Sequence, residues 1–350
     1  MRVLYGVSAL LTGCLILAAV WCNVVCTALP TGRRPALPIR PVLRWVPSLI
    51  LALARALPRR ARSWVLNLIG PFVFFSVLAW WLAASLAGFA LIVVSFGGVP
   101  AIPAGLIPWS SCTDAAAFAA APVTQWRSDA IALMAWTNAA IIVLIFAVHL
   151  MCFLTAYRRR ELAVRVLATQ ARWPPDAERL LIPYLRSGMT AALDDQFAQW
   201  ARWLGDVRAT HHAYPALMFC RSSPPLNWLT AAVIMLDAAA AIDALAPSWA
   251  PPHTRTLLCT GMRCMQSLLH QSGISHPAAI ASFEGREEVE FHATMRKLVT
   301  AGLPEERDEA HASMAFQKWR IQYSPYATAI AIYLLYDDPG IDVPTCECME

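Results

Sequence analysis

Residues 1–113 contain no aspartate or glutamate, and three apolar runs in the first 157 residues are each long enough to cross a bilayer. A spanning helix needs about 20 predominantly apolar residues. Val3–Leu29 exceeds that without a charge, Val65–Ser95 does so with Pro71 near its start, and Ala130–Tyr157 ends in the block Arg158-Arg159-Arg160. The first run is also too long for the apolar core of a cleaved signal peptide, about 7–15 residues. A chain built this way cannot fold as a water-soluble globule throughout. Its 15% charged and 58% apolar residues say the same, against about 25% charged in an average soluble domain.

The charge is unevenly spread. Ten of the 28 basic and two of the 23 acidic residues lie in 1–156, giving that part +8 and the remainder −3. Eight of those ten are arginines between the first two runs: Arg33, Arg34, Arg40, Arg44, Arg55, Arg59, Arg60 and Arg62. The loop Phe96–Ser128 has only Arg127. Loops rich in arginine stay on the cytoplasmic side, which predicts an N-terminus outside, the arginine-rich loop inside, Phe96–Ser128 outside and everything after Tyr157 in the cytoplasm. The overall +5 thus comes from one loop and is not a nucleic-acid signature. Within that loop, Pro41–Leu57 reads as an amphipathic helix lying in the bilayer interface, its arginines meeting lipid headgroups. A greasy connector is the alternative.

Polar residues inside spans are functional candidates. Asn138 and His149 stand eleven residues apart in the third run, about three helical turns, and so share a face. They would line a polar path or a helix contact. Two spans joined by a 33-residue external loop also form the hairpin of a pore-loop channel. Thr113–Ala121 could form the short pore helix, so Thr113, Asp114, Thr124 and Gln125 are the pore-loop candidates. No TxGxG filter run follows them.

From Arg158 onward the chain reads as helices broken by proline: Arg160–Ala171, Asp176–Leu204 interrupted near Pro183 and Gly188, Asp206–Tyr214, Trp228–Leu245, Thr254–Gln271, Ser282–Ala301 and Glu305–Leu335. Trp228–Leu245 is nearly long enough to span. Asp237 and Asp243 inside it would each cost about 2.5–3.5 kcal/mol at a bilayer centre, which favours a buried helix of a soluble bundle. The expected fold is an all-α membrane protein. Residues 1–157 form a membrane domain of three transmembrane helices, and residues 158–350 a cytosolic α-helical domain.

The search for chemistry finds little. GxxxxGK[ST], HExxH and GxSxG are absent, so no enzymatic activity, catalytic residue or cofactor is expected. Adjacent His211 and His212 point about 100° apart on a helix and would not share a ligand. The acidic residues around Glu287 and Glu305 read as solvated helix faces. Of the ten cysteines, Cys346 and Cys348 near the C-terminus read as free thiols, a metal or lipid site being the alternative. No metal site is expected.

Several stretches together carry a resemblance. They are Val24–Arg34 (VVCTALPTGRR), Ile69-Gly70-Pro71, Ala87–Ala90, Phe153–Arg165 (FLTAYRRRELAVR), Trp173-Pro174-Pro175, His212–Asp237 (HAYPALMFCRSSPPLNWLTAAVIMLD) and Phe316–Tyr323 (FQKWRIQY). In this order the chain resembles bacterial potassium-channel-like proteins of the two-pore-domain-like "ion channel family". The resemblance implies a pore loop, a homo-tetrameric pore for a monovalent cation, and a helical cytosolic domain. The TLGFG-like filter of that family has no counterpart here, so no filter residue carries over. The expectation is a channel-like protein of the inner (plasma) membrane with a degenerate pore loop. The alternative is a membrane-anchored interaction or regulatory protein acting through its helical domain.

Overall fold

In the apolar runs every backbone polar group must be bonded within the segment, which makes helix the only open-chain solution in lipid. A computed structural model of the chain describes residues 2–28, 40–95, 125–170, 176–222, 226–273 and 286–336. The described residues are all-α, with eleven α-helices, one 3-10 turn and no strand. Helices α1 (Arg2–Ala28), α2 (Arg40–Ala56), α3 (Arg59–Ser95) and α4 (Gln125–Gln170) come first. They are followed by α5 (Ala177–Ser187), α6 (Thr190–Ala213) and the 3-10 turn Pro215–Phe219. Helices α7 (Trp228–Leu245), α8 (Thr254–Ser272), α9 (Arg286–Thr300), α10 (Glu309–Arg320) and α11 (Ser324–Leu334) complete the order.

Four of these are long and apolar enough to cross a membrane: α1 over Leu4–Thr27, α3 over Trp64–Ser95, α4 over Asp129–Thr169, and α7. Such helices mark a membrane-embedded protein. Their surroundings differ. Only 28%, 28% and 22% of the apolar stretches of α1, α3 and α4 are buried within the protein, against 89% of α7.

The chain divides into two units. The first comprises Met1–Leu57 and Leu68–Leu154. Here α1 and α3 approach through glycine: a Cβ on Gly13 would lie 2.7 Å from the Gly88 carbonyl oxygen, and one on Gly6 3.1 Å from that of Ser95. Small residues let membrane helices pack backbone to backbone, where apolar side chains gain little by leaving lipid. Between α3 and α4 the contact is aromatic. Phe74 lies 4.7 Å from Phe146 and 4.6 Å from Phe153, and Trp81 meets the Phe146 edge at 6.4 Å. Large apolar side chains such as Leu4, Phe72 and Leu144 point outward. In α2, Leu51 and Ala54 are buried while Leu49 and Leu53 are exposed.

The second unit comprises Pro58–Asn67 and Thr155–Glu350. Its centre is α7, packed between α8 and α10, while α6 packs on α8. The Asn227 side chain caps α7 by accepting from Thr230 N–H at 2.8 Å. At the other end Arg307 donates to the carbonyls of Asp243 and Ala244 at 3.2 and 3.1 Å, placing a cation where the helix dipole favours one. The two aspartates of α7 are engaged inside the unit. Tyr323 donates to Asp237 at 2.5 Å. Asp243 accepts from Arg255 at 2.9 Å and from Trp319 at 2.8 Å. Glu178, buried on α5, takes Lys297 at 2.6 Å and Thr294 at 3.1 Å from α9.

Several helical expectations change. Asp206–Tyr214 is not a separate helix but the end of α6, which runs through Gly205 without a break. The third run and Arg160–Ala171 are one helix, because no glycine or proline interrupts residues 129–170. Glu305–Leu335 divides into α10 and α11, because Pro325 cannot donate to an ongoing helix and instead opens the next one. The break at Gly188 falls as expected: it ends α5 at φ +64°, a left-handed backbone that glycine adopts without strain. Pro183 is absorbed inside α5.

Candidate functional site

The sequence candidates fall in three places. Thr113, Asp114 and Thr124 lie outside the described residues, as do Cys346 and Cys348, and of Gln125 only the backbone, at the start of α4, is described. Asn138 and His149 both lie in the first unit. Trp21 of α1 donates its indole N–H to Asn138 Oδ1 at 2.8 Å. His149 stacks on Phe74 of α3, 5.6 Å between centroids and 7° between planes. The two residues share the inner side of α4, as the spacing predicts, yet they address different helices.

The densest polar constellation is elsewhere, and it was not among the candidates. Arg160 and Glu161, on the tail of α4, are 2% and 4% exposed. A guanidinium has five N–H donors in a planar fork, and here all five are used. Nε–H donates to Glu161 Oε1 at 3.0 Å. Nη2 donates to Glu161 Oε1 at 2.9 Å and to the Cys220 carbonyl at 2.5 Å. Nη1 donates to the Leu217 carbonyl at 2.8 Å and faces His211 Nε2 at 3.4 Å. The guanidinium carbon lies 5.4 Å from the ring centroids of both Tyr157 and Trp228. Trp203 donates to the Arg160 carbonyl at 3.2 Å. One side chain thus ties the tail of α4 to α6, to the 3-10 turn and to the start of α7.

The surrounding groups complete the clamp. Glu161 Oε1 also accepts from the Ser222 hydroxyl at 2.9 Å, and Ser222 Oγ accepts from Trp228 N–H at 3.1 Å. His211 Nδ1 lies 2.7 Å from the Val207 carbonyl. A carbonyl only accepts, so Nδ1 carries the proton and Nε2 is the acceptor facing Arg160. Burial, followed by the Arg160 charge, pushes the His211 pKa down to about 3, so the ring is neutral at pH 7. Burial pushes the Cys220 thiol up to about 11 and that of Cys264 to about 12.

General acid–base or nucleophilic catalysis needs a group poised near the working pH. In this cluster the histidine is held neutral, the nearby thiol is held protonated and the arginine has no donor left for a ligand. The arrangement fastens helices together. His212, beside His211, is exposed and accepts from Gln271 at 2.6 Å, so the adjacent histidines diverge as helix geometry requires. Among the described residues no group of three metal-ligating side chains comes together.

No protein-family model, curated protein or solved structure matches the chain.

Arg160 was legible in one respect. Phe153, Ala156, Arg160, Val164 and Leu167 recur every three or four residues and are all buried, so the third arginine of the block occupies the core phase of α4. Arg158 and Arg159 remain exposed. Reading the block only as a topology signal hid that phase. Leu217, Cys220, Ser222 and Trp228 lie within a stretch that carries the family resemblance, and Arg160 and Glu161 within another.

Proposed function

We propose that the chain is a channel-like membrane protein in which α1, α3 and α4 cross the bilayer and the second unit is a cytoplasmic helical domain. The observation that carries this reading is α4, one unbroken helix of 46 residues. At 1.5 Å per residue it is about 69 Å long, against a hydrocarbon core of about 30 Å. Its apolar part suffices to cross, and its tail carries the Arg160 clamp. In a two-helix pore module such an inner helix can pass a change in the helical domain to the membrane. The resemblance to potassium-channel-like proteins, the hairpin of α3 and α4, and the arginine distribution support the same arrangement: N-terminus outside, inner membrane, homo-tetramer, monovalent cation. The exclusion of α7 from the spans rests on its burial and on the side chains that engage Asp237 and Asp243.

A second reading, a membrane-anchored interaction or regulatory protein acting through the helical domain, has its own observation in favour. Asn138 and His149 address Trp21 and Phe74 of the same chain rather than a path between copies.

Flux of potassium and of sodium into liposomes bearing the purified full-length protein separates the two. A version with residues 96–124 replaced by a short glycine–serine linker is the control. Flux that disappears in the control is expected. Absence of flux from a folded tetramer would refute the channel reading and leave the anchored-domain reading.

A further inference from the structure

The three membrane helices of the first unit contain buried polar atoms without partners among the described residues. Besides Thr27 Oγ1, whose residue is only partly buried, they are Asn23 Oδ1 on α1, Trp81 Nε1 and Ser85 Oγ on α3, and Asn138 Nδ2 on α4. Each of these four side chains belongs to a residue at least nine-tenths buried. In hydrocarbon an unsatisfied polar group costs several kcal/mol, because no solvent can take its hydrogen bond. Four such groups scattered at random would be an unexplained burden on a short helical bundle.

They are not scattered. Gly6 approaches Ser95, and Gly13, seven residues on, approaches Gly88, seven residues back. This antiparallel register, continued by the same step, sets Val20 level with Trp81. Trp21, next to Val20, is bonded to Asn138, and Trp81 meets Phe146, about two turns further along α4, so Trp81 and Asn138 lie within about two turns of one another. Asn23 is three residues from Val20, about 4.5 Å along the axis. Ser85 is one turn from Trp81. Three helices therefore present polar atoms to their common interior over one or two turns.

The amide orientations are settled by bonds already made. Asn138 Oδ1 accepts from Trp21, which leaves its NH2 group as a donor. Asn23 Nδ2 donates to the Ala19 carbonyl at 3.1 Å, which leaves its oxygen as an acceptor. The open set is two N–H donors, one carbonyl acceptor and one hydroxyl. A bare cation would face two N–H hydrogens, and an anion would find no positive charge. Bound waters match the set, accepting from Trp81 and Asn138 and donating to Asn23 and Ser85. Buried waters typically make about three such bonds.

We propose that Asn23, Trp81, Ser85 and Asn138 enclose bound water, forming an intramembrane hydration site that joins α1, α3 and α4. The site belongs to the bundle interior of one chain and exists whether or not the protein conducts. It assigns Asn138 to helix association through both ends of its amide.

Asn23→Leu tests this in the full-length protein in detergent micelles, since leucine keeps the shape and removes the acceptor. The Tm is expected to fall by about 2–4 °C, the shift that losing one net hydrogen bond gives in a protein of this size. If no water is held, the Asn23 oxygen is an uncompensated buried acceptor, and Asn23→Leu would leave the Tm unchanged or raise it. That result would overturn the proposal. X-ray hydroxyl-radical footprinting of the unaltered protein gives a second readout that needs no variant. Trp81 is 1% exposed, so its oxidation requires water inside the bundle. Oxidation of Trp81 that drops severalfold in Asn23→Leu is expected, and an unmodified Trp81 would refute the site.

Discussion

Arg160→Met should unfold the helical unit more easily than any other single substitution in the arginine block. Methionine keeps much of the apolar stem but removes all five donors. The Glu161 carboxylate, 4% exposed, would be left with the Ser222 hydroxyl alone, and the Leu217 and Cys220 carbonyls would each lose the guanidinium. Breaking a buried ion pair from one side costs about 3–5 kcal/mol, most of it for stranding the other charge. Each orphaned carbonyl adds about 1 kcal/mol or more unless water reaches it. Local relaxation offsets part of this, so about 4 kcal/mol is a fair expectation. Since 1 kcal/mol shifts Tm by about 2–4 °C in a domain of 150–250 residues, the Tm should fall by roughly 8–16 °C. Thermal unfolding of the full-length protein in detergent, followed by circular dichroism, measures it. Two comparisons isolate the cause. Arg160→Met with Glu161→Gln removes the stranded charge and should recover about 2 kcal/mol. Arg159→Met removes the neighbouring arginine, whose side chain is 65% exposed and 3.8 Å from Asp206, and should change stability by less than about 1 kcal/mol. If Arg160→Met costs no more than Arg159→Met, the clamp has no energetic content and the reasoning fails.

Two further predictions concern the same unit. His211 has a folded pKa of about 3 against 6.5 ordinarily, so between those values the unfolded chain binds the proton that the folded one refuses. Its contribution is complete above about pH 6.5 and is lost as pH falls, by about 2 kcal/mol at pH 5; denaturant titrations from pH 7.5 to 5 should show this slope, and His211→Gln should remove it. A Cβ on Gly261 would meet Leu236 Cδ2 at 2.3 Å and Cδ1 at 2.8 Å, so Gly261→Ala should cost about 1–3 kcal/mol by overpacking. In a Leu236→Ala background the same change should be close to neutral, and a double-mutant cycle showing no coupling would contradict this contact.

The apolar helices α1, α3 and α4 were legible because length and the absence of charge suffice to recognise a helix able to cross a membrane. Helix phase was not, and the reason is physical. In α1, α3 and α4 the exposed side chains are as apolar as the buried ones, so hydropathy has no period that distinguishes them. α7 poses the reverse difficulty: it is as apolar as a span, yet its neighbours are protein. Only Asp237 and Asp243 separated the two cases beforehand, and of the groups that engage them Arg255 comes 12 residues after Asp243, while Tyr323 and Trp319 come 86 and 76 residues later. No local pattern announces such partners, although Trp319, Tyr323 and Asp237 all lie in stretches that carried the family resemblance. Where a helix is apolar throughout, its few polar residues are what reveal its inward face. Asn138 marks that face in the apolar part of α4, Arg160 marks it in the tail, and Asp243 marks it in α7. Asn138 and Asp243 were visible in the sequence as residues too costly to leave without a partner, whereas Arg160 was hidden in a block read only for topology. Which side chain would engage each became known only when the helices were assembled.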